Sequence, residues 1–306
     1  MTRDLRPTDQ GAARPLRYVA IGDSLTEGVG DDPWPDGTPR GWADRLAEIL
    51  ARHHGAIDYA NLAVRGYRTA QIRDTQLEAA LAMEPDVVTF TAGMNDLLRP
   101  GFDREALLQA PCTERGARVL VVPIPDIRSV LPVSRVFESR RRELNGMYRY
   151  LAEHHGMLEP TVTTGSIFED RRSWADDRLH LSALGHERLA IGAAERLGVP
   201  SDTDWLTPPD GPAPPHTLRG HVTWARTFAG PWIGRRLRGR SSGDGRVAKQ
   251  LELHRLTAGR SAVGTPVSDP GYTLAVYTGG HDDAHHCLQE QHHPGGATAQ
   301  GRRPAR

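Results

Sequence analysis

Between residues 17 and 198, short β-branched runs alternate with helical stretches, and that alternation leaves few folds open. RYVAIG (17–22) reads as a buried strand, and IDYANLA (57–63), DVVTFTAG (86–93) and RVLVVPI (118–124) read as three more. Helical spacing runs through 41–54, where Trp42, Leu46 and Ile49/Leu50 recur at three- and four-residue intervals. It recurs from Thr69 to Met83, with Ile72, Leu77 and Leu81 inward and Pro85 as the stop. Further helices fit 134–155, ending near Gly156, and 183–197, with Leu189, Ala193 and Leu197 in register. Strands that alternate with helices over roughly 200 residues call for an α/β fold, a central parallel sheet covered on both faces.

In such sheets ligands bind beyond the carboxyl ends of the strands. Three of the strand ends here are polar and bear glycine: GDS (22–24), NLAVRG (61–66) and GMND (93–96). A fourth polar segment, DDRLHLSALGH (176–186), precedes the last helix, which Ser182 is placed to cap. Asp177 and His180 are three residues apart, a spacing at which a turn lets the side chains meet. The carboxylate then holds one ring nitrogen while the other faces a serine, which is the logic of an acid–base–nucleophile triad. Ser24 is the candidate nucleophile. The N–H groups of Ser24 and Gly66 and the side-chain amide of Asn95 are the candidate oxyanion donors. Asp23 and Asp96 read as structural hydrogen-bonders at the edge of the site, and His186 as a packing or capping residue.

The blocks Gly22-Asp23-Ser24-Leu25, Gly66, Gly93-x-Asn95-Asp96 and Asp177-x-x-His180 occur in the order found in the SGNH (GDSL-type) hydrolase family, which the chain resembles over residues 17 to about 198. The resemblance implies a three-layer α/β/α, flavodoxin-like fold and a metal-free serine ester hydrolase. It makes Ser24, Asp177 and His180 the catalytic residues, with Ser24, Gly66 and Asn95 forming the oxyanion hole. The chain departs from the family's pattern twice. Met94 stands where relatives often carry glycine, and only Asp103–Ala110 remains for a helix crossing from the third strand to the fourth. That is enough for a crossover with a thinner face.

Composition narrows the remaining classes. The 306 residues carry 38 basic and 38 acidic side chains, a balance that argues against nucleic acid as the main partner. No apolar run approaches the length of a bilayer span or a signal peptide, so the expected location is cytoplasmic. Cys112 and Cys287 form no zinc or disulfide spacing. Adjacent histidines such as His53-His54 point apart, so no metal and no cofactor is expected. Residues 22–30 contain no G-x-G-x-x-G, which weighs against a nucleotide-binding protein.

Outside 17–200 the character changes. Residues 1–16 read as a flexible arm, 201–256 as a proline-rich linker followed by a basic, aromatic segment, and 257–306 as a disordered tail. Within 223–240, Trp224, Phe228 and Trp232 interleave with Arg235, Arg236, Arg238 and Arg240. The favoured reading is a helix that packs its aromatics on the hydrolase domain and solvates its arginines. Weak peripheral contact with an anionic surface is the other. No long apolar lid lies between the blocks, so a shallow, open site for small ester substrates is expected, with short acyl or acetyl groups favoured. Lysophospholipase or thioesterase specificity is the alternative within the family, and a non-catalytic acyl- or glycan-binding module the alternative outside it.

Overall fold

The computed structural model describes residues 14–98, 116–162, 165–215 and 217–258. Four parallel strands form most of a five-stranded sheet: β1 (Leu16–Gly22), β2 (Ala56–Asn61), β3 (Val87–Thr91) and β4 (Arg118–Val121). The fifth, β5 (Gln250–Thr257), runs antiparallel along β2, and the order across the sheet is β4-β3-β1-β2-β5. The architecture is the expected α/β one. The sequence reading ends the hydrolase domain at residue 200, yet the edge strand of its sheet comes from 250–257.

β1 lies at the centre and is buried from Tyr18 to Gly22, with a period-2 pattern that divides the core in two. Tyr18 and Ala20 face a layer that contains Trp42, Leu46 and Leu50 of α2 (Trp42–His54). Val19 and Ile21 face the other layer, with Ile72, Leu81, Leu144 and Tyr148.

The helices between strands follow the expected spacing. A one-turn helix, α1 (Ser24–Glu27), follows β1. On the second face, α3 (Thr69–Ile72) passes through a π-helical turn (Arg73–Leu77) into α4 (Glu78–Ala82). After β3 come the short α5 (Met94–Leu97), then α6 (Glu138–His155) beyond β4, then α7 (Ala183–Arg196), which packs with α2. Ser182 caps α7 as expected, accepting from the Gly185 N–H. The crossover expected over Asp103–Ala110, both cysteines, most of the N-terminal arm and nearly all of the tail fall outside the described residues.

The basic, aromatic segment is α8 (Leu218–Trp224), a π-helical turn (Ala225–Ala229) and α9 (Gly230–Leu237), run together as one rod. Arg235, Arg238 and Arg240 are exposed, while Trp224, Phe228 and Trp232 are half-buried.

The segment that follows is latched by Lys249. Its ammonium carries three protons and meets three acceptors: Asp44 Oδ2 at 2.6 Å and the carbonyls of Glu27 and Pro39 at 2.8 Å each. No helix among the described residues is long and apolar enough to cross a membrane.

Candidate active site

The chain leaves β1 for β2 on one side and returns to β3 on the other, so the strand order reverses at β1, where crevices form in open α/β sheets. Gly22 makes the exit from β1 tight. It has φ +151°, and a Cβ there would run into the backbone and side chain of Thr91. Its backbone is gripped on both sides by buried Gln76, which accepts from the Gly22 N–H at 2.8 Å and donates to the Gly22 carbonyl at 3.0 Å. Tyr148 clamps the end of β3 in the same manner. It donates to the Ala92 carbonyl at 2.7 Å and accepts from the Ala92 N–H at 3.1 Å. Neither clamp was read from the sequence, because a single Gln or Tyr on a helix carries no local signature.

These turns bring Ser24, His180 and Asp177 into line. Ser24 Oγ lies 2.9 Å from His180 Nε2, and His180 Nδ1 lies 2.5 Å from Asp177 Oδ2. A carboxylate only accepts, so Nδ1 carries the proton and Nε2 is left as the acceptor for the serine hydroxyl. Asp177 also accepts from the backbone N–H groups of Leu179 and His180 at 2.9 and 3.0 Å. Burial works to raise its pKa. The hydrogen bond and charge of His180, with the two backbone donors, outweigh burial and hold the carboxyl below its ordinary range.

Asn95 and Gly66 arrive at the same edge. Asn95 Nδ2 donates to the Tyr67 carbonyl at 3.0 Å and to Asp23 Oδ2 at 3.2 Å. Gly66 has φ +80°, and a Cβ on it would come within 2.5 Å of Ser241 Oγ and 2.7 Å of Ser242 Oγ. Among the described residues, no protein acceptor takes up the N–H of Ser24 or of Gly66.

Asp23, Asp96 and His186 occupy supporting positions. Asp23 caps α1 through the Leu25 N–H, and burial pushes its carboxyl up to about 6 against the pull of that hydrogen bond. Asp96 accepts from both the N–H and the hydroxyl of Thr69 at 3.0 Å and so ties β3's end to α3. His186 caps a helix other than its own. Its Nδ1 accepts from the Trp42 N–H at 3.0 Å, and its Nε2 meets the Val29 carbonyl at 3.1 Å. Burial holds the ring neutral, with a pKa lowered to about 4. No group of three or more potential metal ligands occurs among the described residues.

The site is neither shallow nor uncovered, which corrects the sequence expectation. A cavity of about 790 Å³ is lined by Ser24 and His180, and its walls come from two parts of the chain. Val122, Leu131, Phe168 and Leu189 belong to the body; Trp224, Phe228 and Trp232 belong to the α8–α9 rod. The covering segment follows all four blocks in sequence, so a search between them misses it.

The rod is joined to the loop that bears Asp177 and His180. Trp224 Nε1 donates to the Asp177 carbonyl at 2.8 Å. Arg178, buried and at φ +59°, reaches His221 Nδ1 at 2.9 Å and lies 5.3 Å from the Trp224 ring centroid. A positive φ at a non-glycine residue is uncommon, and here it turns the arginine from its neighbours toward the rod.

A family model described as "GDSL-like Lipase/Acylhydrolase family" matches residues 20–188, a span that includes the five residues of the candidate site. The uncharacterized protein YpmR of Bacillus subtilis (strain 168) is 36% identical over 87 residues, 26% of this chain and 32% of its own length. The chain thus spans about a third of the length of that curated relative. Among solved structures, a protein described as a GDSL-like lipase from Parabacteroides merdae has a TM-score of 0.50 at 17% identity, covering 65% of this chain and 100% of that one. An acetylxylan esterase from Geobacillus stearothermophilus has a TM-score of 0.44 at 20% identity, covering 62% and 96%. At 17% identity the likeness to the Parabacteroides merdae protein is one of fold.

Proposed function

From a chain that belongs to the GDSL-like lipase/acylhydrolase family, we propose hydrolysis of carboxylic esters through an acyl-enzyme on Ser24. The observation that carries this reading is the line of short contacts Ser24–His180–Asp177 at the strand ends, 2.9 and 2.5 Å long. Ser24 Oγ attacks the ester carbonyl as its proton passes to His180 Nε2, and Asp177 stabilises the imidazolium through Nδ1. The negative oxygen is received by the N–H groups of Ser24 and Gly66 and by Asn95, which gives up its longer bond to Asp23. The C–O bond to the alcohol breaks, and the proton on Nε2 goes to the departing oxygen. Water then attacks the acyl-serine, losing its proton to Nε2, and releases the acid and Ser24.

Turnover of p-nitrophenyl acetate by the wild type and by Ser24→Ala tests this. The variant is expected to lose at least about a thousandfold in kcat. Equal rates would remove Ser24 from the mechanism. A fluorophosphonate probe is expected to attach to Ser24, a reaction that a module which only binds esters does not undergo.

A further inference from the structure

We infer that the cavity takes an unbranched apolar chain of about eight to twelve carbons on one side of the ester, and that residues 218–242, beyond the family-matched span, select it. The inference rests on the ester-hydrolase reading and names the substrate class of that site.

Three observations carry it. First, the cavity is continuous with Ser24 and His180 and measures about 790 Å³, within the size range that encloses a drug-sized ligand. An acetyl group would leave most of that apolar surface uncovered. Second, the walls are aliphatic and aromatic on both sides, Leu131, Phe168 and Leu189 against Trp224, Phe228 and Trp232. The lining carboxylates, Asp23 and Asp177, are already engaged at the strand ends. Of the other polar lining groups, Ser241 and Ser242 crowd Gly66, Arg65 is paired with Glu27, and Arg235 and Arg240 are exposed on the α8–α9 side. Third, Val133, Val136 and Ile233 line the cavity yet are 56%, 71% and 49% exposed, so part of its rim is apolar, beside the exposed Arg235 and Arg240. A wet, sugar-binding cleft has no use for such a rim, whereas a chain entering from an apolar phase does.

The chain belongs either to the acid or to the alcohol, and two ester series separate these sources. One varies the acyl group of p-nitrophenyl esters from acetate to palmitate; the other varies the alkyl group of acetates from ethyl to dodecyl. In one of them kcat/KM is expected to rise at least about a hundredfold from two to ten carbons, since each buried methylene contributes up to about fourfold. Flat or falling rates in both series, with acetyl ester still turned over, overturn the inference and leave the hydrolase reading intact.

The rod's part is read from variants. Phe228→Ala and Trp232→Ala are expected to lower the ten-carbon rate at least tenfold more than the acetyl rate. Ala229→Trp, which fills the cavity from the same segment, is expected to move the optimum to shorter chains. An equal fall for short and long esters would make the rod scaffolding and sink its selective role. Calorimetric binding of decanoate to Ser24→Ala keeps the two readings apart. If no ester is turned over, the hydrolase reading fails, and saturable decanoate binding that is lost in Trp232→Ala still upholds the chain site. No binding overturns that site too.

Discussion

The indole N–H of Trp224 donates to the backbone carbonyl of Asp177, 47 positions earlier, at 2.8 Å. A residue outside the family-matched span thereby helps to fix the loop on which Asp177 and His180 ride. Trp224→Phe keeps an aromatic ring beside Arg178 and removes only the donor. Its kcat on p-nitrophenyl acetate is expected to fall about three- to tenfold, the loss of roughly one net hydrogen bond. An unchanged kcat would show that the loop holds its geometry alone.

Asp23 makes stability depend on pH in one direction. Its folded pKa of about 6 lies above the ordinary carboxylate value of 3.8, so the folded state holds the proton more tightly. This contribution is fully present below about pH 3.8 and is lost as pH rises through 6. Compared with Asp23→Asn, the wild type is expected to lose up to about 3 kcal/mol between pH 4 and 7. Urea unfolding of both proteins across that range measures it, and a constant difference between them would refute the shift.

His186 acts in the opposite direction. Its folded pKa of about 4 lies below the ordinary 6.5, so the unfolded chain takes up the proton first on acidification. Stability from this group is present above about pH 6.5 and lost as pH falls toward 4. His186→Gln keeps an acceptor and a donor but does not titrate. Relative to it, the wild type is expected to weaken by about 3 kcal/mol over that interval. Parallel stability curves for the two would rule this out.

Lys249 and the strand after it join the C-terminal segment to the body. Lys249→Met leaves Asp44 buried without its cation and is expected to cost about 3–5 kcal/mol in chemical denaturation. Truncation after Thr257 leaves β5 and the latch in place, so esterase activity is expected to survive. Truncation after Arg246 removes both, and activity is expected to collapse. Full activity in the shorter protein would show that the segment is dispensable.

Much of this was legible in the sequence because the signals are local. β1 to β4 are apolar runs bounded by polar strand ends, and Asp177 and His180 meet because three residues separate them. β5 was not legible. Leu251 and Leu253 alternate correctly, but Leu256 is out of phase, and it alone in the strand is buried. Leu256 stands an odd three positions from Leu253 and so faces the opposite layer, beyond a bulge that inserts two residues on β5 between the Tyr59 and Asn61 pairings. The covering rod showed its helical spacing and its aromatics, yet nothing in 218–237 names the surface it packs on. Gln76, Tyr148 and Arg178 likewise act on partners far along the chain. Lys249 had a signal that only a count reveals, for it is the one lysine among 38 basic residues. A guanidinium fork does not fit a compact site with three converging acceptors.

That solitary lysine has a consequence for the protein's surface chemistry. The chain's one ε-amino group is 9% exposed and has all three of its protons engaged. Reagents and enzymes that acylate, crosslink or tag lysine side chains therefore find no target on the folded molecule. Modification at that position becomes a direct report that the C-terminal strap has lifted from the body.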